Sequence, residues 1–199
     1  MDGEINIVER PEWISYDEIH SLLFVAHEDN RNEGFHVKTA EMTGEELEKH
    51  VGDNGVCFVA LDGNKLVGVT AVRIVKRHNK FADGNVADQI LVAVLPDYTG
   101  RKISSALHEK VIAFAETHGL SIIELRTADQ NIKMQTACLK WGFHYIDYVA
   151  YPNIDHYTVV MMKWLSESPS VKLMKFRYQM KRICIRVRFK PGKVKRFGI

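Results

Sequence analysis

Long apolar runs are missing from this chain: stretches such as Ile90 to Leu95 stop after six residues, where a membrane-spanning helix needs about 20. The opening residues, MDGEINIVER, carry acids where a secretion signal carries bases, so a cytoplasmic protein is expected. Cysteine is scarce. Cys57, Cys138 and Cys184 are odd in number and too far apart for a CxxC clip, which fits free thiols in a reducing compartment. Nine histidines are scattered without HExxH or similar ligand spacing, and no metal is expected. Acids are absent from one region altogether: residues 170–199 hold eleven Lys/Arg and no Asp/Glu.

What is present is the composition of an ordinary globular protein. The chain has 199 residues, 46% apolar and 26% charged, long enough to bury one core with room for an appendage. The net charge of +2 conceals a division, because residues 1–169 hold 16 Lys/Arg against 25 Asp/Glu, a balance of −9. The expected organisation is a folded domain over 1–168 and a cationic C-terminal extension over 169–199.

Along the chain, EINIVER alternates Ile5 and Ile7 with polar neighbours and predicts a short strand. SYDEIHSLLFVAH places Ile19, Leu22, Leu23 and Ala26 at helical spacing, with Ser15 as N-cap and Glu18 in the capping-box position. EDNRNEGFHVKTAEM is polar and aperiodic and is expected to be a loop, followed by a short helix from Thr43 to about Gly52. Two β-rich runs then flank Asp62-Gly63-Asn64, a hairpin signal. NVADQILVAVL predicts a strand, ISSALHEKVIAFAETHG a helix, LSIIELRTA a strand, DQNIKMQTACLKWG a helix, and FHYIDYVAY and HYTVVMMKWL two last strands. No internal repeat or low-complexity tract interrupts this order, which implies an α/β fold: a mixed sheet with helices on its faces.

The junction PDYTGRKISSALHEK carries a strand's end, a tight basic loop and a helix start. Free N–H groups in a helix's first turn, together with the positive end of its dipole, favour a phosphate there. Loops of that kind usually hold several glycines, and this one has only Gly100. A solvated basic turn capped by Ser104 would fit the same residues.

Two segments together, VADQILVAVLPDYTGRKISSALHEKVIAFAETHGLSIIEL and NIKMQTACLKWGF, resemble the acyl-CoA-binding core of the GNAT superfamily of N-acetyltransferases. The resemblance in element order covers roughly Val56 to Leu165. The family's loop pattern Q/R-x-x-G-x-G/A falls on Thr99-Gly100-Arg101-Lys102-Ile103-Ser104, with all three defining positions substituted. Its helix pattern N-x-x-A-x-x-L-Y-x-K-x-G-F is met at Asn131, Lys140, Gly142 and Phe143, whereas Met134, Ala137 and Cys138 depart from it. The resemblance implies a mostly antiparallel central sheet with helices on both faces, acetyl-CoA as co-substrate, and acetyl transfer to an amine. It also implies that the strand before the loop splays from its neighbour at a bulge. Backbone groups of Val92, Ala93 and Val94 would then pair with the pantetheine arm and polarise the thioester carbonyl. The pyrophosphate would lie on Thr99, Gly100, Arg101, Lys102, Ile103, Ser104 and Ser105.

An amine must lose its proton to attack. Asp88 stands eleven residues before Thr99, where one branch of the family places its strand-borne base, although the wet end of a strand would also hold an acid. Glu124, on the neighbouring predicted strand, is a second candidate base or else one half of an ion pair with Arg126. Cys138 replaces the tyrosine that protonates the departing thiolate in many family members, and is a packing thiol, a weak acid or an acylated nucleophile. Tyr145, Tyr148 or Tyr151 could supply a phenol instead. Asn131 is an N-cap or a cofactor contact.

For the acceptor, the family builds its site from the first helices, their loop and the last strands, which here brings Glu28 and Asp29 forward as substrate-binding acids. The acceptor is expected to be a small-molecule amine, such as an amino sugar, amino acid or polyamine, or a protein amine, and family habit suggests a homodimer. In the extension, Ile183, Ile185, Val187 and Phe189 alternate with Cys184, Arg186, Arg188 and Lys190. Such a segment suits an anionic membrane or a polyanion, placing the protein at the membrane periphery, or it docks on the acidic domain; the nucleic-acid signal is weak. A non-catalytic acyl-CoA-binding module and a polyanion-tethered protein led by the extension are the alternatives to an enzyme.

Overall fold

The alternation of Ile5 and Ile7 does produce a first strand, β1 (Ile5–Glu9), in the computed structural model, which describes residues 4–34, 37–78, 82–150, 156–166 and 173. Ser15 caps α1 (Tyr16–Ala26) through a full capping box with Glu18, and Thr43 caps α4 (Gly44–Val51) in the same way with Glu46. Between them stand α2 (Glu28–Asn32) and α3 (Lys38–Glu41). These short helices correct the loop expected over Glu28–Met42. Helix α2 buries none of its residues, so it has no apolar period for the sequence to display. It is fastened instead by Arg31, whose guanidinium lies 3.9 Å from the Phe24 ring centroid and donates to the Phe24 carbonyl at 2.6 Å.

Strands β2 (Gly55–Asp62) and β3 (Lys65–His78) pair through a tight turn in which Gly63 takes φ 59°, the left-handed conformation that costs glycine least. After β4 (Asp83–Val94) and a 3-10 turn at Pro96–Tyr98 come α5 (Ile103–Thr117), β5 (Ile122–Ala128), α6 (Ile132–Lys140), β6 (His144–Ala150) and β7 (Tyr157–Trp164). The sheet runs β1-β2-β3-β4-β5-β7-β6. Only β4 and β5 pair in parallel; the other neighbours are antiparallel, as the sequence led one to expect.

Helices cover both faces. On one, Ile19 and Leu23 of α1 and Leu47 of α4 pack with Val59, Val69 and Ala71. On the other, Val111 and Ala115 of α5 and Cys138 of α6 pack with Val72, Ile123, Leu125 and Met161. Gly68 lies where the start of α5 meets the sheet: a Cβ there would stand 3.1 Å from Ile103 and 3.3 Å from the Ala93 carbonyl, so glycine lets α5 settle closely on β3. The chain to Leu165 forms one compact unit. Tyr151 and, apart from Leu173, the cationic extension expected over 169–199 lie outside the described residues.

Candidate active site

Strand β4 follows β3 along most of its length but touches β5 only briefly, with Ala87, Asp88 and Gln89 beside Ile123, Glu124 and Leu125. Beyond that pairing β4 continues to Val94 and β5 to Ala128, so the sheet opens into a fork. A bulge marks the opening. Ala71 faces Ile90 while Val69 faces Ala93, which leaves one extra residue on β4, and Leu91 absorbs it at φ 55°. A left-handed leucine costs about 1–2 kcal/mol and persists only where its surroundings hold it. Val92, Ala93 and Val94 follow at once, on the strand segment that no longer pairs with β5.

The next turn leads into α5. Gly100 and Lys102 both adopt left-handed backbone, φ 81° and 61°, and Lys102 occupies the position where the resembling loops carry glycine. Lys102 is also the N-cap of α5, without a side-chain cap, and the first intrahelical bond runs from the Ala106 amide to the Lys102 carbonyl. The amides of Ile103, Ser104 and Ser105 precede that bond. Amides so placed at a helix start have no intrahelical acceptor. Tyr98 stiffens the loop: its hydroxyl donates to Asp62 at 2.9 Å, and Arg101 and Lys65 stand over its ring at 4.9 and 5.1 Å. Thr99 spends its hydroxyl within the turn, donating to the Pro96 carbonyl at 2.8 Å. Ser105 accepts the Trp141 indole N–H at 3.1 Å and so ties α5 to the end of α6.

Asp88 and Glu124 lie side by side at the fork's base, 3% and 1% exposed. Their partners are arginines. Arg73 donates to Asp88 through Nε and Nη2 at 3.1 and 3.0 Å, and Arg77 stands 3.8 Å away. Arg77 also binds Glu124 through Nε and Nη2, with Arg126 Nε adding a bond at 2.9 Å. Burial pushes the Asp88 carboxyl up from its ordinary value, the Arg73 guanidinium pulls it back, and the Glu124 charge adds to the rise. Asp88 is thus buried within an ion cluster rather than standing at a strand's wet end. Glu124 forms the ion pair with Arg126 that the sequence offered as one reading, and Arg77 joins it.

The other candidates separate. Cys138 is fully buried in the apolar cluster, and burial pushes its thiol up to about 12. That fits the packing thiol among the readings open for it: a thiol so placed does not ionise near neutral pH. Asn131 caps α6, its Oδ1 accepting the Met134 amide at 3.0 Å. Glu28 and Asp29 sit on α2, and Asp29 is neutralised by Lys133 at 3.1 Å. Beside that bridge, a cleft of about 200 Å³ opens between Asn30 of α2 with the following Glu33 and residues 130–133 at the start of α6. Among the described residues no three His, Cys, Asp or Glu side chains gather as metal ligands, and no helix is long and apolar enough to cross a membrane.

Sequence reasoning passed over Arg73, Arg77, Gln89 and His108. A signal existed for His108, which follows Leu107 on a helix and lies three residues before Val111, inside the core-facing stripe. The arginines gave none, because their carboxylates belong to other strands.

The model of the acetyltransferase (GNAT) family matches residues 16–143, more than half of the chain. The chain belongs to the GNAT acetyltransferase family. Its fold agrees with solved GNAT structures. An acetyltransferase of the family from Staphylococcus aureus Mu50 superposes with a TM-score of 0.63 at 20% identity, over 82% of this chain and 100% of the other. The ribosomal-protein-S18-alanine N-acetyltransferase from Escherichia coli gives 0.61 at 15% identity, over 83% and 96%. The PaiA N-acetyltransferase from Thermoplasma acidophilum, solved in complex with coenzyme A, gives 0.59 at 18% identity, over 81% and 99%. At these identities the likeness is one of fold. No curated protein matches by sequence. As a GNAT member the protein is an N-acetyltransferase that draws its acetyl group from acetyl-CoA.

Proposed function

We propose that the protein acetylates a primary amine, of a small molecule or of a protein, by direct attack of that amine on the acetyl-CoA thioester. The observation that carries this reading is the fork, where β4 leaves β5 immediately after Gln89 and bulges at Leu91. Amides in the 92–94 segment would donate to the thioester oxygen as it gains charge, and the Thr99–Ser105 turn would hold the pyrophosphate. Asp88 is the favoured base, since burial raises its proton affinity while Arg73 and Arg77 keep it oriented. Cys138, sealed in the core, leaves direct attack as the simpler route than an acyl-enzyme. Glu28 and Glu33 at the α2 rim suit a cationic acceptor approaching the cleft beside Asp29 and Lys133.

Release of CoA thiol over a panel of amino sugars, amino acids, polyamines and peptide N-termini tests the reading. Asp88→Asn is expected to lower kcat about a hundredfold or more while leaving CoA affinity within about threefold. Tight CoA binding with no turnover on any amine would contradict it. The extension's eleven cations against the domain's −9 support contact with an anionic surface, a polyanion or membrane being the external case. Salt-sensitive heparin or liposome retention that disappears in a chain ending at Leu165 supports that case; equal retention removes it. A homodimer rests on family habit, and sedimentation decides it.

A further inference from the structure

A buried polar chain crosses the sheet on the α5 side of the fork. Lys163 of β7 places Nζ 3.2 Å from His108 Nε2; His108 Nδ1 is 2.9 Å from Gln89 Oε1; Gln89 Nε2 donates to Thr70 Oγ1 at 3.2 Å; and Thr70 Oγ1 donates to the Ile90 carbonyl at 3.3 Å. Directions follow from the donor inventory. A lysine ammonium only donates, so His108 Nε2 accepts and the ring proton sits on Nδ1, where the Gln89 carbonyl receives it. That orients the Gln89 amide toward Thr70 and turns the Thr70 proton toward Ile90. Thr70, Gln89 and His108 are each at most 2% exposed, and the two central links, Thr70–Gln89 and Gln89–His108, are fully buried, where water does not replace them.

The chain ends at the residue before the bulge. Ile90 is the last β4 residue in register before Leu91 turns left-handed, and Thr70 lies on β3 between the two register pairs that the bulge separates. Within it His108 stacks on Trp141, with ring centroids 4.7 Å apart and planes at 13°, and Trp141 donates to Ser105 at the helix start. One network therefore touches both the bulge and the helix start.

We propose that Thr70, Gln89 and His108 are positioning residues that fix the Ile90 carbonyl, and through it the bulge, so that the amides of the 92–94 segment meet the thioester oxygen. This rests on the polarising role assigned to that segment above. A chain of this kind could also serve stability alone, and the two roles differ in what they do to a bound thioester. Stability alone leaves the carbonyl's polarisation unchanged in any variant that folds. A positioning chain does not.

The test is difference infrared spectroscopy of acetyl-CoA isotope-labelled at the acetyl carbonyl, bound to the full-length protein and to Thr70→Val, Gln89→Met and Thr70→Ser. The first two each remove two hydrogen bonds of the chain at nearly constant volume, and the third restores the hydroxyl. In the wild type the carbonyl stretch should move to lower frequency than in solution. Thr70→Val and Gln89→Met should lose most of that movement while binding free CoA within about threefold of wild type, because both substitutions lie outside the Thr99–Ser105 turn; Thr70→Ser should keep it. Folded variants that bind acetyl-CoA and retain the full movement overturn the proposal alone. A wild type that binds acetyl-CoA with no movement overturns the polarising role itself, and this proposal with it.

Discussion

On the α1–α4 face the fork is closed by charge: Arg73, Arg77 and Arg126 surround Asp88 and Glu124. On the α5–α6 face it is closed by hydrogen bonds among Thr70, Gln89 and His108, with a single cation, Lys163, at the outer end. Both sets use adjacent β4 residues, Asp88 and Gln89, whose side chains point to opposite faces because a strand alternates. The ionic set is stiff but vulnerable, since removing one member strands a buried charge. The neutral set tolerates near-isosteric replacement at a smaller cost. A base needs the first environment, which tunes proton affinity; a backbone bulge needs only the second.

The comparison breaks most visibly at Glu124. Glu124→Ala leaves Arg77 and Arg126 without their shared carboxylate and should destabilise the fold by about 3–5 kcal/mol, measured by urea denaturation; a loss below about 1 kcal/mol would show that the cluster is solvated. The neutral face responds to pH instead. Burial, and then the Lys163 cation, lower His108 to about 3, so the folded protein keeps the ring neutral while the unfolded chain takes up a proton below its ordinary value near 6.5. Stability from this group is complete above 6.5 and is lost as pH falls toward 3. Between pH 6.5 and 5 the loss is about 2 kcal/mol, and His108→Gln should remove that part of the slope while leaving the part due to His27, itself lowered to about 4 chiefly by burial.

Smaller effects sharpen the geometry of the helix start. Gly68→Ala puts a methyl group against Ile103 and the Ala93 carbonyl, and should cost about 1–2 kcal/mol by overpacking, with acetyl-CoA affinity falling as α5 shifts. Lys102→Gly should raise stability by about 1 kcal/mol by relieving the left-handed lysine, while phosphate affinity weakens slightly with the lost charge. Melting curves with and without CoA separate the two contributions; a destabilised Lys102→Gly would mean that the lysine side chain, not the backbone, fixes the turn.

Much of the fold was legible because its signals are local. Ser15 with Glu18, Asp62-Gly63-Asn64 and the stripe Ile103, Leu107, Val111 each specify their element within a few residues. Helices α2 and α3 were not legible, since four or five residues that bury little show no period. The site divides in the same way. The uncapped start at Lys102 follows from strand, loop and helix read in order, and Asp88 stands out as an acid in an apolar run. The bulge does not, because it is a mismatch of register between β3 and β4, and DQILVAVL looks the same with or without it. Arg73 and Arg77 looked like ordinary strand cations, because the carboxylates that bury them arrive 15 and 47 residues later. Cys138 illustrates the converse: the family's pattern drew attention to the position, while its burial in the α5–α6 cluster depends on strands far away in sequence.

The central claim is that the acyl-CoA arm lies in the fork, and amide hydrogen exchange with and without acetyl-CoA tests it most directly. The account predicts added protection at Val92, Ala93 and Val94 and at Ile103, Ser104 and Ser105, with little change in α4. Protection confined to other segments, such as the surface lined by Lys38, Met42 and His50, with the 92–94 amides exchanging as before, would contradict it.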